Sequence, residues 1–147
     1  MANALYDHGR QAFLTSVTVG AFVGKIDWVS DTIHAVLIDT SLYTVDLVNH
    51  TSMADVPAGA RIADVAMTGR TAALNDGTAV SGSTTFPAVT AGSTASALVV
   101  YRDNLTATDA DNALIAYIDT ATNLPVATNG GDITIVWDAG SGNVFKL

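Results

Sequence analysis

The side chains in this sequence that could carry chemistry are few. The histidines are His8, His34 and His50, and none has a second histidine or acid at a metal-ligand spacing such as H-x-x-x-H. An isolated histidine of this kind is read as structural or exposed. No G-x-S-x-G nucleophile turn is present, and the Ser-Gly pairs at Ser81-Gly82-Ser83 and Gly140-Ser141-Gly142 read as turns. Neither a G-x-x-x-x-G-K-[ST] phosphate loop nor a usable G-x-G-x-x-G occurs. With no cysteine, disulfides, zinc–thiolate sites and cysteine nucleophiles are excluded.

Two carboxylate arrangements remain. In Thr108-Asp-Ala-Asp-Asn112, the oxygens of Asp109, Asp111 and Asn112 are of the hard type that calcium prefers. The loop lacks both the turn glycine and the closing glutamate of a calcium-binding loop, so the expectation is a solvated connection. Asp39 and Asp119 follow similar segments, His34-Ala-Val-Leu-Ile38 and Leu114-Ile-Ala-Tyr-Ile118, and each precedes a threonine. Pairing of those segments would bring two carboxylates together for acid–base work. The simpler reading is that each Asp-Thr ends a strand by bonding its own following backbone. No catalytic residue, metal ligand or cofactor is expected, and the chain is not read as an enzyme.

The elements that must position these residues are mostly strands. All fourteen acids are aspartate, no glutamate is present, and Lys25 and Lys146 are the two lysines, so the usual surface helix formers are missing. Asp, Thr, Asn and Gly favour turns and strands. The 147 residues fit one domain, 1–147, and 49% apolar content fills one core. Strands are expected over Thr32–Asp39, Arg61–Met67, Ala97–Arg102, Ala113–Asp119, Asp132–Asp138 and Asn143–Leu147. Shorter ones are expected near Val17–Gly24, Ala72–Leu74 and Thr84–Phe86. The Thr32–Asp39 segment is apolar on both faces and reads as central. Thr40–Thr51 fits either a strand or a short helix. Turns are expected at Pro57-Ala-Gly59, Asn75-Asp76-Gly77 and Asn129-Gly130-Gly131. The spacing predicts a mainly β fold, an antiparallel β-sandwich or barrel. One N-terminal helix is expected over Asn3–Leu14, within a segment 1–16 that could act as an anchoring arm, with Asn3 as N-cap and Gly9 weakening it.

The net charge is −8, and charged residues make up 14%. Six scattered cations form no basic face for nucleic acid, and the acidity disfavours anionic membranes. No signal peptide is visible at the start, and no apolar run approaches the roughly 18–20 residues of a membrane span. A surface of Thr, Ser, Asn, Gly and Ala suits repeated contact with protein neighbours. Trp137 is expected in the core with Ile133 and Ile135, whereas Trp28 is open between core and interface. Leu5, Tyr6, Phe13 and Trp28 are the candidate interface residues.

Several strings carry a resemblance: MANALYDHGRQAFL, an IDW followed by a strand ending in IDT, PAGARIA, IAYIDTATNLPVATNGGDITIVWD and the terminal VFKL. Together they resemble a family of small virion structural proteins of tailed bacteriophages, over both ends and most of the chain and least between residues 74 and 96. The resemblance implies a virion structural protein, and the acidic, β-rich and sparsely charged character of the chain narrows the expectation to a capsid decoration (cement) protein, made in the bacterial host cytoplasm and placed on the outer capsid surface. Its implied partners are the major capsid protein and further copies of itself, with a trimer favoured. The other readings are a tail-tube, neck or head-completion protein, and a virion-surface carbohydrate-binding module. The last would want clustered exposed aromatics in a chain with 7% aromatic residues.

Overall fold

A computed structural model describes residues 3–73, 76–140 and 142–147. The elements in chain order are β1 (Ala4–Leu5), α1 (Asp7–Leu14), β2 (Val17–Val19), β3 (Phe22–Gly24), β4 (Ile33–Ile38), β5 (Arg61–Ala66) and β6 (Thr71–Ala72). They continue with β7 (Thr78–Val80), β8 (Thr84–Phe86), β9 (Thr94–Ala95), β10 (Ala97–Arg102), β11 (Ala113–Ile118), β12 (Val126–Ala127), β13 (Ile133–Ile135) and β14 (Asn143–Lys146). The fold is mainly β and antiparallel, sandwich-like, and none of its sheets closes into a barrel.

Its frame is one five-stranded sheet ordered β1-β11-β10-β4-β5. The three inner strands are apolar on both faces because both faces are covered. On one face Ile33, Ala35, Leu37, Leu98, Val100 and Ile115 join a cluster completed by the β2–β3 hairpin, the β8–β13 ribbon and strands of the β14-β7-β6 sheet. On the other, Val36, Ile38, Val99, Tyr101, Leu114 and Tyr117 pack under Tyr43, Met53, Val56 and Ala60. Those four covering residues all belong to the connection between β4 and β5.

That connection is where the sequence reading fails first. Thr40–Thr51 forms neither strand nor helix; it runs as turns into a 3-10 turn at Met53–Asp55 and another at Ala58–Ala60. Side chains capture its backbone. Asp46 accepts the amides of Val48 and Asn49, both at 3.0 Å, and Asp55 accepts those of Thr51 and Ser52 at 2.8 and 3.0 Å. Aspartate offers the backbone this alternative to a regular element.

The N-terminal helix is shorter than expected. Ala4 and Leu5 extend along β11, and the helix begins at Asp7 after an N-cap at Tyr6. Asn3 does not cap it: its Oδ1 accepts from the Asp119 and Thr120 amides and from the Thr120 hydroxyl. The role of Gly9 is steric. A Cβ there would lie 2.4 Å from the Leu114 carbonyl oxygen, so the helix rests directly on the β11 backbone.

The Ala97–Arg102 and Thr84–Phe86 strands match expectation, and β4, β5, β11 and β14 match within one or two residues. Strands β7, β9 and β12 have no counterpart in the sequence pattern. The Asp132–Asp138 strand stops at Ile135, and Trp137 instead opens a 3-10 turn at Trp137–Gly140. It still enters the core, where its indole N–H donates to the Thr84 hydroxyl at 3.1 Å. The Ala72–Leu74 strand is seen as β6, and Leu74, Asn75 of the Asn75–Gly77 turn and Ser141 of the Gly140–Gly142 reversal lie outside the described residues.

Candidate functional site

The chemistry-bearing residues are drawn into structural bonds. In the Asp109–Asn112 loop, Asp111 Oδ1 accepts the Ala21 amide at 2.7 Å and Oδ2 accepts the Thr106 hydroxyl at 2.8 Å. Asp109 holds the Arg61 guanidinium at 2.8 Å, and Asn112 Oδ1 accepts the Asn104 amide at 2.9 Å. The oxygens that calcium would need are thus committed to the β2–β3 turn, to β5 and to their own loop. Gly20 completes this contact: at φ +56, a Cβ on it would meet the Asp111 carboxylate at 2.2 Å.

Asp39 and Asp119 do not form a pair through their strands. β4 and β11 both pair with β10, which separates them. Asp39 accepts the Ser41 amide and hydroxyl at 2.9 and 2.6 Å, which holds its carboxyl below the usual carboxylate range. The strand-ending role expected for Asp39 is therefore the one found.

His34 is the histidine whose surroundings the sequence concealed. Its Nδ1 lies 2.6 Å from Asp64 Oδ1, and its Nε2 lies 3.5 Å from Asp103 Oδ2. The Tyr101 hydroxyl donates to the other Asp64 oxygen at 2.7 Å. Carboxylates on both ring nitrogens favour the doubly protonated imidazolium, in which both nitrogens donate. The hydrogen bond to Asp64 raises the His34 pKa, against a smaller opposing effect of burial. Burial, and then the bond to Asp64, pushes the Tyr101 hydroxyl up as well. The group spans β4, β5 and the end of β10. The spacing rules missed it because its members are separated by 30 residues or more in sequence, apart from Tyr101 and Asp103.

His50, half-buried, belongs to a second hydrogen-bonded group. Tyr6 and Tyr43 share a hydroxyl–hydroxyl bond of 2.9 Å, and the Tyr43 hydroxyl sits 2.9 Å from His50 Nδ1, which also accepts the Asp46 amide. Burial raises the pKa of both tyrosines. This group pins the β4–β5 connection to the N-terminal segment. His8 is half-buried on α1. Among the described residues, no group of three His, Cys, Asp or Glu side chains could hold a metal ion. Among the described residues, no helix is long and apolar enough to cross a membrane.

The four candidate interface residues separate. Leu5 and Tyr6 are 5% and 0% exposed and belong to this chain's own core, which corrects their assignment as contact residues. Pairing of Ala4 and Leu5 with β11 pulls them inward. Phe13 and Trp28 instead line an open apolar cleft of about 430 Å³, together with Val29, Phe145 and Leu147. Trp28 forms its floor, donating to the Val80 carbonyl at 3.0 Å and meeting Phe145 edge-on with ring centroids 5.0 Å apart. Phe13 tilts against Phe145 at 5.7 Å. Val29 and Leu147 are 50% and 52% exposed at the margin. Phe145, which the sequence reading did not single out, joins the two. The terminal NVFKL string reveals a strand but not that it lies between α1 and Trp28.

The cations are also unevenly placed. Arg61 binds Asp109 and the Met53 and Val56 carbonyls. Arg70 donates to the carbonyls of Trp28, Met67 and Asp31, and Arg102 binds Asp31 and lies over the Phe22 ring at 4.0 Å. Arg10, Lys25 and Lys146 are exposed, and Arg10 approaches Asp7 at 3.7 Å. No known family model matches the chain, and no curated protein matches it.

Proposed function

We propose that this chain is a phage capsid decoration (cement) protein that binds the outer capsid surface between capsomers and stabilises the shell. The observation that carries the reading is the open apolar cleft around Phe145, lined by Phe13, Trp28, Val29 and Leu147. An open apolar cleft of this kind can receive an apolar side chain of a partner protein. The resemblance of the sequence strings to tailed-phage virion proteins supplies the identity of that macromolecule, and the sparse charge lowers the cost of desolvating the face. The mechanism is mechanical. Each copy, in a trimer where capsomers meet, buries surface against several shell subunits, and opening the shell requires breaking every such contact. At about 1,600 Å² per interface, repeated across a shell, this resists internal pressure.

Cryo-electron microscopy of the virion tests the reading. Density for this fold repeated over the outer shell at three-fold or quasi-three-fold positions supports it. Density confined to one vertex or to the tail replaces it with the neck or tail role. Deleting residues 1–14 is not a usable test of an anchoring arm, because it removes β1, Tyr6 and Ala12 from the core.

A further inference from the structure

We infer that Asn129 is a site of spontaneous covalent modification, at which its carboxamide becomes aspartate and isoaspartate, and that the fold withholds the reaction by engaging the nitrogen that must attack. The inference is independent of the decoration reading. Asn129 is the one asparagine of the chain that a glycine follows. It lies in the turn between β12 and β13 and is exposed, as are Gly130 and Gly131. In the reaction the Gly130 amide nitrogen gives up its proton and attacks the carbonyl carbon of the Asn129 side chain. The new carbon–nitrogen bond closes a succinimide ring, the bond to the side-chain nitrogen breaks, and that nitrogen leaves as ammonia with the proton. Water then opens the ring at either carbonyl, giving aspartate or the isomer whose backbone runs through the side-chain carbon. Water is the only co-reactant. This chemistry is one reason asparagine counts among the thermolabile residues, and a following glycine leaves the attacking nitrogen free of a neighbouring Cβ.

The turn holds both reacting groups, one in an arrangement that promotes the reaction and the other in one that blocks it. The Gly131 N–H donates to Asn129 Oδ1 at 2.9 Å. That oxygen takes the negative charge when the carboxamide carbon becomes tetrahedral, so a fixed donor on it stabilises the intermediate. Gly130 has φ +89, and a Cβ built on it would meet nothing within 4 Å, so no bulk guards this part of the turn. The block is a hydrogen bond. The Gly130 N–H donates to the Val89 carbonyl at 2.8 Å, and the Val89 N–H returns a bond to the Gly131 carbonyl at 3.0 Å. While the first of these stands, the nitrogen keeps its proton and does not attack. Val89 is itself fixed, with 2% exposure in the core. The pairing is clamped on both sides. The Thr128 N–H donates to the Ser93 carbonyl at 2.9 Å, the Ser93 N–H donates to the Thr128 hydroxyl at 3.0 Å, and Asp132 Oδ1 accepts the Ala88 amide at 2.8 Å. Reaction at Asn129 therefore waits on local opening of the turn away from Val89. The Asn-Gly pair is visible in the sequence, whereas the lock comes from the connection between β8 and β9.

Peptide-resolved mass spectrometry tests this by following the conversion of every asparagine at mildly alkaline pH, in the folded protein and in the chain unfolded by guanidinium. In the unfolded chain Asn129 is expected to convert faster than every other asparagine. In the folded protein its conversion is expected to be about ten-fold slower or more, because opening the turn breaks two backbone hydrogen bonds of ordinary net strength. The double variant T128A/D132A removes the clamps and leaves Asn129, Gly130 and Gly131 in place. With its fold confirmed by circular dichroism, it is expected to convert about five-fold faster than the folded parent, as for the loss of roughly one net hydrogen bond. Unfolded, it should react at the parent's rate. Another asparagine leading in the unfolded chain overturns the site. Equal conversion in the folded and unfolded parent overturns the lock, and so does a folded double variant that reacts no faster than the parent. The two parent measurements decide both the site and the lock even where the double variant does not fold.

Discussion

Substituting His34 tests whether the Asp64–His34–Asp103 group stabilises the fold as a charged unit. In H34A, Asp64 and Asp103 lose the cation between them, and Tyr101 keeps its bond to Asp64. A hydrogen bond to a charged group contributes about 1.5–3 kcal/mol when well enclosed. Here the His34 side chain is 21% exposed and the Asp64 side chain 42%, so solvent screens the pair. The second contact, at 3.5 Å, is long and adds little. The expected loss is therefore about 1–2 kcal/mol near pH 6, or a fall in Tm of about 3–6 °C for a chain of this size. The pH dependence carries the sign. His34 has a raised pKa in the fold. Its contribution is complete below the unfolded value of about 6.5 and is lost as pH rises through the folded value. Urea unfolding of the parent and H34A between pH 5 and 9 should show a gap that is widest at the acid end and narrows toward pH 9. A gap that is independent of pH, or that widens with pH, refutes the imidazolium assignment.

Three further outcomes are expected. G9A should destabilise the protein by about 2 kcal/mol or more in thermal unfolding, although alanine is the better helix former by about 1 kcal/mol, because its Cβ would strike the Leu114 carbonyl; a stabilised variant would show that α1 does not rest on β11. Calorimetry with millimolar calcium should give no heat, while D111A should lower stability by about 1–3 kcal/mol by leaving the Ala21 amide and the Thr106 hydroxyl without their acceptor; calcium binding with an unaltered D111A stability would reverse that account. W28F should cost about 1 kcal/mol in urea unfolding through loss of the indole bond to Val80, and an unchanged midpoint would mean that Trp28 does not form the cleft floor as described.

By itself the sequence determined the mainly β, antiparallel class, the two-faced burial of the Thr32–Asp39 segment, and the strands at Ala97–Arg102 and Ala113–Asp119. It could do so because apolar periodicity and turn residues act over a few positions, the range on which a strand is specified. It also bounded the chemistry through its lack of cysteine and glutamate. Tertiary structure decided the rest. Whether Ala4 and Leu5 join the helix or the sheet depends on a vacant edge of β11, more than a hundred residues away. The β4–β5 connection gains its form from aspartate side chains and from Tyr6, Tyr43 and His50, not from any repeat in its own residues. His34 meets Asp64 and Asp103 because β4 lies between β5 and β10. Likewise Phe13, Trp28 and Phe145 become one cleft through the packing of α1, β3 and the last strand. Each of these depends on which distant segments the sheet order makes neighbours, and local sequence patterns carry no record of that order.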